Sequence, residues 1–503
     1  MWQIHQALLF FIFSAFWLPW TTAVQLDVDS PAISIANSLT YLGELDADFL
    51  QESVKEAATI IAKDMMTFYK GEEPGQIPGS LLKPYYWWQA GALWGELIEY
   101  WAMTGDTQYN NLVTKSLLFQ VGEDKNYMPA NASKEEGNDD QVFWAFSAMT
   151  AAELNFPDPP PSQPQWLALA QAVFNSQIKR WDLDSCAGGL RWQIFFTNPG
   201  WTYKNTISTG GLFQLSARLG RYTGDKIYLD WAEKTWDWLA STPNLKRDYT
   251  VNDGSDVKKN CTDANGIQWT YNYGALLYGS AMMYDHTKGE EREKWKTRVS
   301  GLITQLQKRF YPTKSPTGAV LSPNIMVETS CEWVKECNPD QASFKAYLSR
   351  WLAGTTQLAP YTRELIMPKL QASAVGAAQQ CSGGDTGSKC GRDWNSAKWD
   401  GYTGVGEQMS ALGAIQATLI DKARKPTTAN NGGTSKGDAN AGAKKENKPK
   451  YKQISLAGKS GAGFLTALLV IGTLGGCWWM IDDGGYTAKK ARRMSENYLS
   501  QIR

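Results

Sequence analysis

The segment EEGNDDQVFWAFSAMTAAE, beginning at Glu135, sets two carboxylates side by side, Asp139 and Asp140, at the mouth of an apolar run. Gly137 and Asn138 stop whatever precedes them, and Val142, Phe143, Phe146, Met149 and Leu154 then recur at helical spacing. As plain helix-start residues, Asn138 or Asp139 would cap the helix and Asp140 would favour its dipole, together worth about 0.5–2 kcal/mol. As chemistry, two neighbouring carboxyls at the rim of a cleft meet the requirement of glycoside hydrolysis. That reaction needs them roughly 5–10 Å apart, one as nucleophile or base and the other as acid. Repulsion at such a range raises one pKa and leaves the other group ionised, which is the division of labour needed.

Other acid–base groups are scarce. The chain has 2 His, and His5 lies in an apolar leader. His286 sits in MMYDHTKGEE, a polar helix end where a solvated imidazole is expected, so proton transfer falls to carboxylates. No calcium loop and no zinc-ligand spacing occurs, so neither a metal nor a cofactor is expected. The 50 basic and 50 acidic residues balance, and no nucleic-acid motif is present, which argues against a nucleic-acid partner. The chain carries 23 Trp and 22 Tyr; most should be core, but this load suits a cleft that takes sugar faces.

The elements that must hold the carboxylates are legible as repeats. GALWGELIEYWAMTGDTQY starts at Gly91, and GGLFQLSARLGRYTGDKIY starts at Gly210. Leu93, Thr104-Gly105-Asp106 and Tyr109 recur 119 residues later at Leu212, Thr223-Gly224-Asp225 and Tyr228, with a third, divergent copy from Gly274. Each copy reads as an amphipathic helix, a Thr/Gly stop and a second helix, that is, a helical hairpin. An interval of that length holds two hairpins, and six of them fill the body. The expected fold is therefore all-α, an (α/α)6 barrel or toroid, in preference to an open array.

The chain ends carry other signals. Residues 1–23 read as a secretory signal peptide, although without Lys or Arg in the n-region. The body is expected over 24–423. Residues 424–460, poor in apolar side chains, read as a disordered tether spanning on the order of 35 Å. Residues 462–481 are long and apolar enough for a transmembrane helix, and Lys489, Lys490, Arg492 and Arg493 place the 482–503 tail in the cytoplasm. The body would then be lumenal or extracellular, in the secretory pathway or at the cell surface. Of 7 Cys, Cys477 falls in the apolar segment. Proximity in sequence suggests Cys331 with Cys337 and Cys381 with Cys390, leaving Cys186 with Cys261; six cysteines allow fifteen pairings. Asn131 and Asn260 head glycosylation sequons.

PYYWWQAGALWG, QVGEDKNYMPAN, EGNDDQVFW, GGLRWQIF, YKNTISTGGLF, IQWTYNYGALL and QASFKAYLSRWLA are together similar to the fungal endo-1,6-α-mannanase-like cell-wall proteins of glycoside hydrolase family 76. The resemblance covers about 26–420. It implies an (α/α)6 barrel, Asp139 as nucleophile and Asp140 as general acid/base of a retaining mechanism. The partner it implies is α-1,6-mannan or the mannose core of a glycolipid anchor, with wall glucan as a candidate acceptor. Asn205, Tyr271 and Asn272 match family motif positions and are candidates to bind hydroxyls. Trp87, Trp88, Trp192, Trp269 and Trp399 with Asp400 are candidate cleft residues. Many fungal members end in a glycolipid-anchor signal, whereas here a polar, basic tail follows the apolar segment, which favours a retained transmembrane helix. Three functions stay open at this point: a mannan endo-1,6-α-mannosidase, a transglycosidase joining anchored proteins to glucan, and a non-catalytic mannan-binding wall protein.

Overall fold

A computed structural model describes residues 47–132, 136–442 and 456–501. The leader expected at 1–23 lies outside the described residues. Helices α1 (Ala47–Met66), α2 (Trp87–Thr104), α3 (Asn110–Phe119), α4 (Asn138–Leu154), α5 (Trp166–Ile178), α6 (Thr206–Thr223), α7 (Lys226–Ser241), α8 (Thr270–His286), α9 (Gly289–Phe310), α10 (Phe344–Leu358), α11 (Arg363–Gln380) and α12 (Val405–Gln416) build the body.

The even-numbered helices form an inner ring. Each packs on the next, and α12 packs back on α2, which closes the circle. The odd-numbered helices lie outside them. The sequence explains the layering. In α6 every residue from Thr206 to Tyr222 is buried, so that helix has no solvent face. In α9 only one stripe is buried, through Trp295, Val299, Leu302, Ile303, Leu306 and Phe310. A helix apolar or small all round belongs inside; one with a single stripe belongs outside. The Thr-Gly-Asp repeats are the stops between layers. Gly105 and Gly224 take the left-handed conformation at φ 81° and 79°, which a side chain would oppose. The Thr104 and Thr223 hydroxyls accept the Asp106 and Asp225 N–H groups just beyond.

Because an outer helix returns the chain each time, the inner helices run parallel and start at one rim. Short strands brace that rim. β1 (Tyr203–Asn205), β2 (Gly254–Asp256) and β3 (Ala264–Asn265) form an antiparallel sheet in which Tyr203 faces Asp256 and Asn205 faces Gly254. Disulfides join Cys186 to Cys261, Cys331 to Cys337, and Cys381 to Cys390; the last links β4 (Cys381–Gly383) to β5 (Lys389–Cys390). These are the three expected pairings, two from proximity in sequence and Cys186 with Cys261 as the remaining pair.

At the opposite end, cations gather where the inner helices present their negative ends. Arg218 bonds Glu153 at 2.7 Å, and Arg221 bonds Asp285 at 2.8 Å. His286 is half-buried beside that pair rather than solvated, and burial and the Arg221 charge lower its pKa.

The flexible tether expected over 424–460 does not extend over 424–442, which are docked on the barrel. The Glu153 carbonyl accepts both N–H (2.8 Å) and Oγ1 (2.9 Å) of Thr427, and the Tyr222 carbonyl accepts Ala429 N–H at 2.9 Å. Ser435 Oγ accepts Leu167 N–H at 3.0 Å, in the first turn of α5, and Asn175 donates to the Ala439 and Ala441 carbonyls at 2.9 Å. Helix ends leave backbone groups unpaired, and this strap pairs them. An apolar-poor composition does not reveal that kind of adhesion. Residues 443–455 lie outside the described residues. A separate compact unit, 444–503, contains α13 (Leu456–Ser500). Within it Ser460–Ile481 is long and apolar enough to cross a membrane.

Candidate active site

Asp139 and Asp140 lie in the first turn of α4, whose cap is Gly137 rather than Asn138 or Asp139. Asp140 Oδ2 accepts the Gly137 N–H at 2.5 Å, so this carboxylate does serve the helix start. Gly137 is needed for space. A Cβ there would stand 2.3 Å from Asp139 Oδ1, 3.0 Å from Asp140 Oδ2 and 2.9 Å from the Trp192 carbonyl. Two further bonds fix the turn: Asn138 N–H to the Trp192 carbonyl at 2.8 Å, and Asn138 Nδ2 to the Arg191 carbonyl at 2.8 Å.

Neighbouring inner helices bring their first residues to the same place. Asn205 caps α6, accepting Ser208 N–H at 3.3 Å, and its Nδ2 donates to Asp139 Oδ2 at 2.7 Å. Asp139 Oδ1 also accepts the Asp140 N–H at 3.1 Å. Tyr271, in the first turn of α8, stacks on Phe344 of α10 at 4.0 Å and 6°. Trp269, just before α8, packs edge-on to Phe344 at 5.5 Å. The α8 start is held by Glu328, whose Oε2 accepts Thr270 N–H at 3.1 Å. Trp88 of α2 packs on Phe143 at 4.8 Å, one turn below the Asp pair, and its Nε1 donates to Asp340 Oδ1 at 3.1 Å.

The electrostatics are those of a cluster of carboxylates crowded together at one rim. Burial pushes Asp139 well up, and the Asp140 charge adds to it, while the Asn205 amide pulls it back. Burial also pushes Asp140 up to about 7, with the Asp340 charge adding and the Gly137 N–H opposing. Asp340 is pushed up by burial to about 6, against the Trp88 indole. Glu136, just ahead of α4, is buried with no hydrogen-bond partner for its carboxyl among the described residues and is pushed up to about 9, by burial first and then by Asp140. The positive ends of the inner helices start at the same rim as Asp139 and Asp140 and favour retention of some negative charge on that pair. Among the described residues, no group of three or more His, Cys, Asp or Glu is arranged to hold a metal ion.

The structure sorts the sequence candidates. Asn205 bonds Asp139, Tyr271 faces it, Trp88 adjoins the pair through Phe143 and Asp340, and Trp269 packs at the same rim on Phe344. Trp192 contributes its backbone to the α4 start, and its indole, 37% exposed, lies over Gly200 at the rim. Four candidates are placed otherwise. Trp87 turns outward, stacking on Trp144 at 4.8 Å and bonding Gln120 at 2.9 Å, because adjacent helical residues point about 100° apart. Asn272 is fully buried, and among the described residues neither atom of its amide has a hydrogen-bond partner. Asp400 is committed to its own loop, accepting the Arg392, Asp393 and Tyr402 N–H groups at 2.9–3.0 Å. Trp399 covers Gly383 and bonds the Tyr402 carbonyl at 2.8 Å. Asn131 and Asn260 are both exposed.

Sequence reasoning missed Asp340, Asp253 and Glu136. Asp253 accepts the Tyr203 hydroxyl at 2.6 Å and its charge reaches Tyr271. Asp340 had a usable signal: like the Asp pair, it is an acid just ahead of a buried helix, here QASFKAYLSRW.

Comparison with known proteins accords with this geometry. The model of Glycosyl hydrolase family 76 matches residues 53–430. The chain is 46% identical over 446 residues to the mannan endo-1,6-alpha-mannosidase DCW1 of Eremothecium gossypii, covering 87% of this chain and 95% of that protein. The crystal structure of Dfg5 from Chaetomium thermophilum in complex with glucosamine superposes with a TM-score of 0.74 at 43% identity, covering 79% of this chain and 97% of that one. An inactive double-aspartate variant of the α-1,6-mannanase GH76A of Salegentibacter sp. HEL1_6, in complex with α-1,6-mannotriose, shares the fold at a TM-score of 0.57 and 17% identity, over 73% of this chain and 99% of that one. A ring of inner helices starting at one acidic rim, and a match over most of the body, lead to one conclusion: the chain belongs to glycosyl hydrolase family 76.

Proposed function

We propose that this protein is a retaining glycosidase acting on α-1,6-linked mannose in the fungal cell wall, with Asp139 as nucleophile and Asp140 as general acid/base. The observation that carries the assignment is how hydrogen bonds divide within the pair. Both oxygens of Asp139 accept, from Asn205 Nδ2 and from Asp140 N–H, which suits an anion. Asp140 commits only Oδ2, leaving Oδ1 to bear a proton. Burial raises both carboxyls, so the pair holds a shared proton near neutrality.

In the first step Asp140 gives its proton to the glycosidic oxygen while Asp139 attacks the anomeric carbon. The carbon–oxygen bond breaks and a glycosyl ester on Asp139 forms. In the second step the Asp140 carboxylate takes a proton from an incoming hydroxyl, which attacks the same carbon and expels Asp139. Water as acceptor gives hydrolysis; a wall-glucan hydroxyl gives transglycosylation.

The substrate class rests on relatives named mannan endo-1,6-alpha-mannosidase, of which the chain covers nearly the whole length. We place the body on the lumenal or external side of a membrane, anchored through Ser460–Ile481, with 482–503 in the cytoplasm. Three disulfides in the body and the basic residues after that segment support this topology.

The test incubates the protein with α-1,6-mannan oligosaccharides and with glycan-anchor cores, with and without a glucan acceptor. Asp139→Asn and Asp140→Asn should each remove turnover and leave the melting transition cooperative. Full activity in both variants would sink the assignment. Binding without turnover by the unmodified protein would instead favour a mannan-binding wall protein.

A further inference from the structure

We infer that Asp340 is a third carboxylate of this site, a positioning residue that keeps Asp140 in its proton-bearing form until a leaving group arrives. The inference rests on the reading of Asp140 as the acid.

The geometry comes first. Asp340 stands at the start of the α10 segment, and the Trp88 indole holds its Oδ1 at 3.1 Å. That indole is itself fixed between Phe143, on the α4 face that carries the pair, and Tyr347 of α10 at 5.9 Å. The residue before it is pinned too, since Gln89 Nε2 donates to the Pro339 carbonyl at 2.9 Å. Asp340 Oδ2 has no protein partner among the described residues. A carboxylate is thus clamped beside the catalytic pair through one oxygen only.

The charges around Asp140 single this group out. On its own helix it meets Asp139, and ahead of that helix Glu136, which Arg180 faces from beyond α5. From α8 the phenol of Tyr271 faces Asp139 and Asp340. Burial raises Glu136 to about 9 and Tyr271 well above its usual range, so both are neutral at neutral pH. Asp139 must be ionised to act. Asp253 faces Tyr203 and Tyr271; of the acids that face Asp140, Asp340, raised only to about 6, is the remaining one that is anionic at pH 7, and its charge opposes ionisation of Asp140. The Trp88 N–H preserves that charge by stabilising the anion.

The experiment is the pH profile of kcat/KM on α-1,6-mannan oligosaccharides. With Asp340→Asn the alkaline limb, where Asp140 loses its proton, should move down by about one pH unit, so activity above the limb falls roughly tenfold while activity below it is kept. Trp88→Phe preserves the ring packing but withdraws the N–H. Asp340 then holds its charge less firmly, and the limb should move the same way by less. An unmoved limb, or an equal loss at every pH, overturns the inference. If Asp340→Asn gives no cooperative melt, Trp88→Phe alone decides, and an unmoved limb counts against it. A mannoside with an activated aryl leaving group separates the two readings. Asp140→Asn should regain glycosylation there, since no acid is needed. Failure of that rescue removes the acid assignment; rescue with an unmoved limb removes only the role of Asp340.

Discussion

Asn205 joins the helix that it caps to the carboxylate that it holds, and the two duties can be separated by substitution. Its Oδ1 accepts Ser208 N–H at 3.3 Å and its Nδ2 donates to Asp139 Oδ2 at 2.7 Å. Asn205→Ser keeps a capping oxygen but cannot reach Asp139. Asn205→Ala loses both. A hydrogen bond to a charged group is worth about 1.5–3 kcal/mol, and one pKa unit is about 1.4 kcal/mol. The amide favours the ionised form of Asp139, so its removal raises a pKa that burial and Asp140 have already raised. The acid limb of kcat/KM should therefore rise by about one to two pH units in Asn205→Ser. At a fixed pH on that limb, activity should fall about tenfold to a hundredfold. The melting temperature should barely change, because Ser caps about as well as Asn. Asn205→Ala should show the same kinetic shift and lose about 1 kcal/mol of stability as well. The assay is kcat/KM against pH for both variants, beside thermal melts. An Asn205→Ser enzyme with an unmoved acid limb would refute the reasoning, and a loss confined to stability would reduce Asn205 to a cap.

The buried acids make stability depend on pH in a definite direction. Asp340, Asp140, Glu328 and Glu136 are raised to about 6, 7, 8 and 9, so the folded chain binds more protons than the unfolded chain above pH ~4. Stability should fall as pH rises from about 4 towards 9, and a melt that is higher at pH 8 than at pH 5 would contradict this. Deleting 424–442 should lower the melting temperature by several degrees, because the Glu153 and Tyr222 carbonyls and the Leu167 N–H lose their partners; an unchanged melt would show that the strap is only resting there. A tag fused after Arg503 should remain on the mature protein and be protected from protease in sealed membranes. Loss of the tag with release of the body by a phosphoinositide-specific phospholipase would show a lipid anchor instead.

Much of the architecture was legible along the chain because it is local and periodic. The spacing of 119 between Thr104-Gly105-Asp106 and Thr223-Gly224-Asp225 marks two turns of the same device, and the Gly at each stop is needed where a helix ends left-handed. The Asp139-Asp140 pair was visible as an acid-rich helix start. The adjacent indoles were not separable: Trp87 and Trp88 have the same chemistry, and only the roll of α2 sends one to Trp144 and the other to Asp340. Asp400 read like a cleft acid, yet three backbone N–H groups of its own loop claim it. The docking of the 424–442 strap is not legible in composition, because it is made by backbone groups and by the Thr427 and Ser435 hydroxyls meeting helix ends, and a shortage of apolar side chains says nothing of such bonds.

The sequence by itself thus determined the helical hairpins, their number and the position of two carboxylates at a helix start, since helix periodicity and capping act over a few residues. Closure of the ring decided the rest. It set Asn205, Tyr271, Trp88 and Asp340, from four different inner helix starts, around Asp139 and Asp140. Burial and mutual charge, which raise the pKa values of these acids, act through space between segments up to 201 residues apart, from Asp139 to Asp340, and no local pattern encodes them.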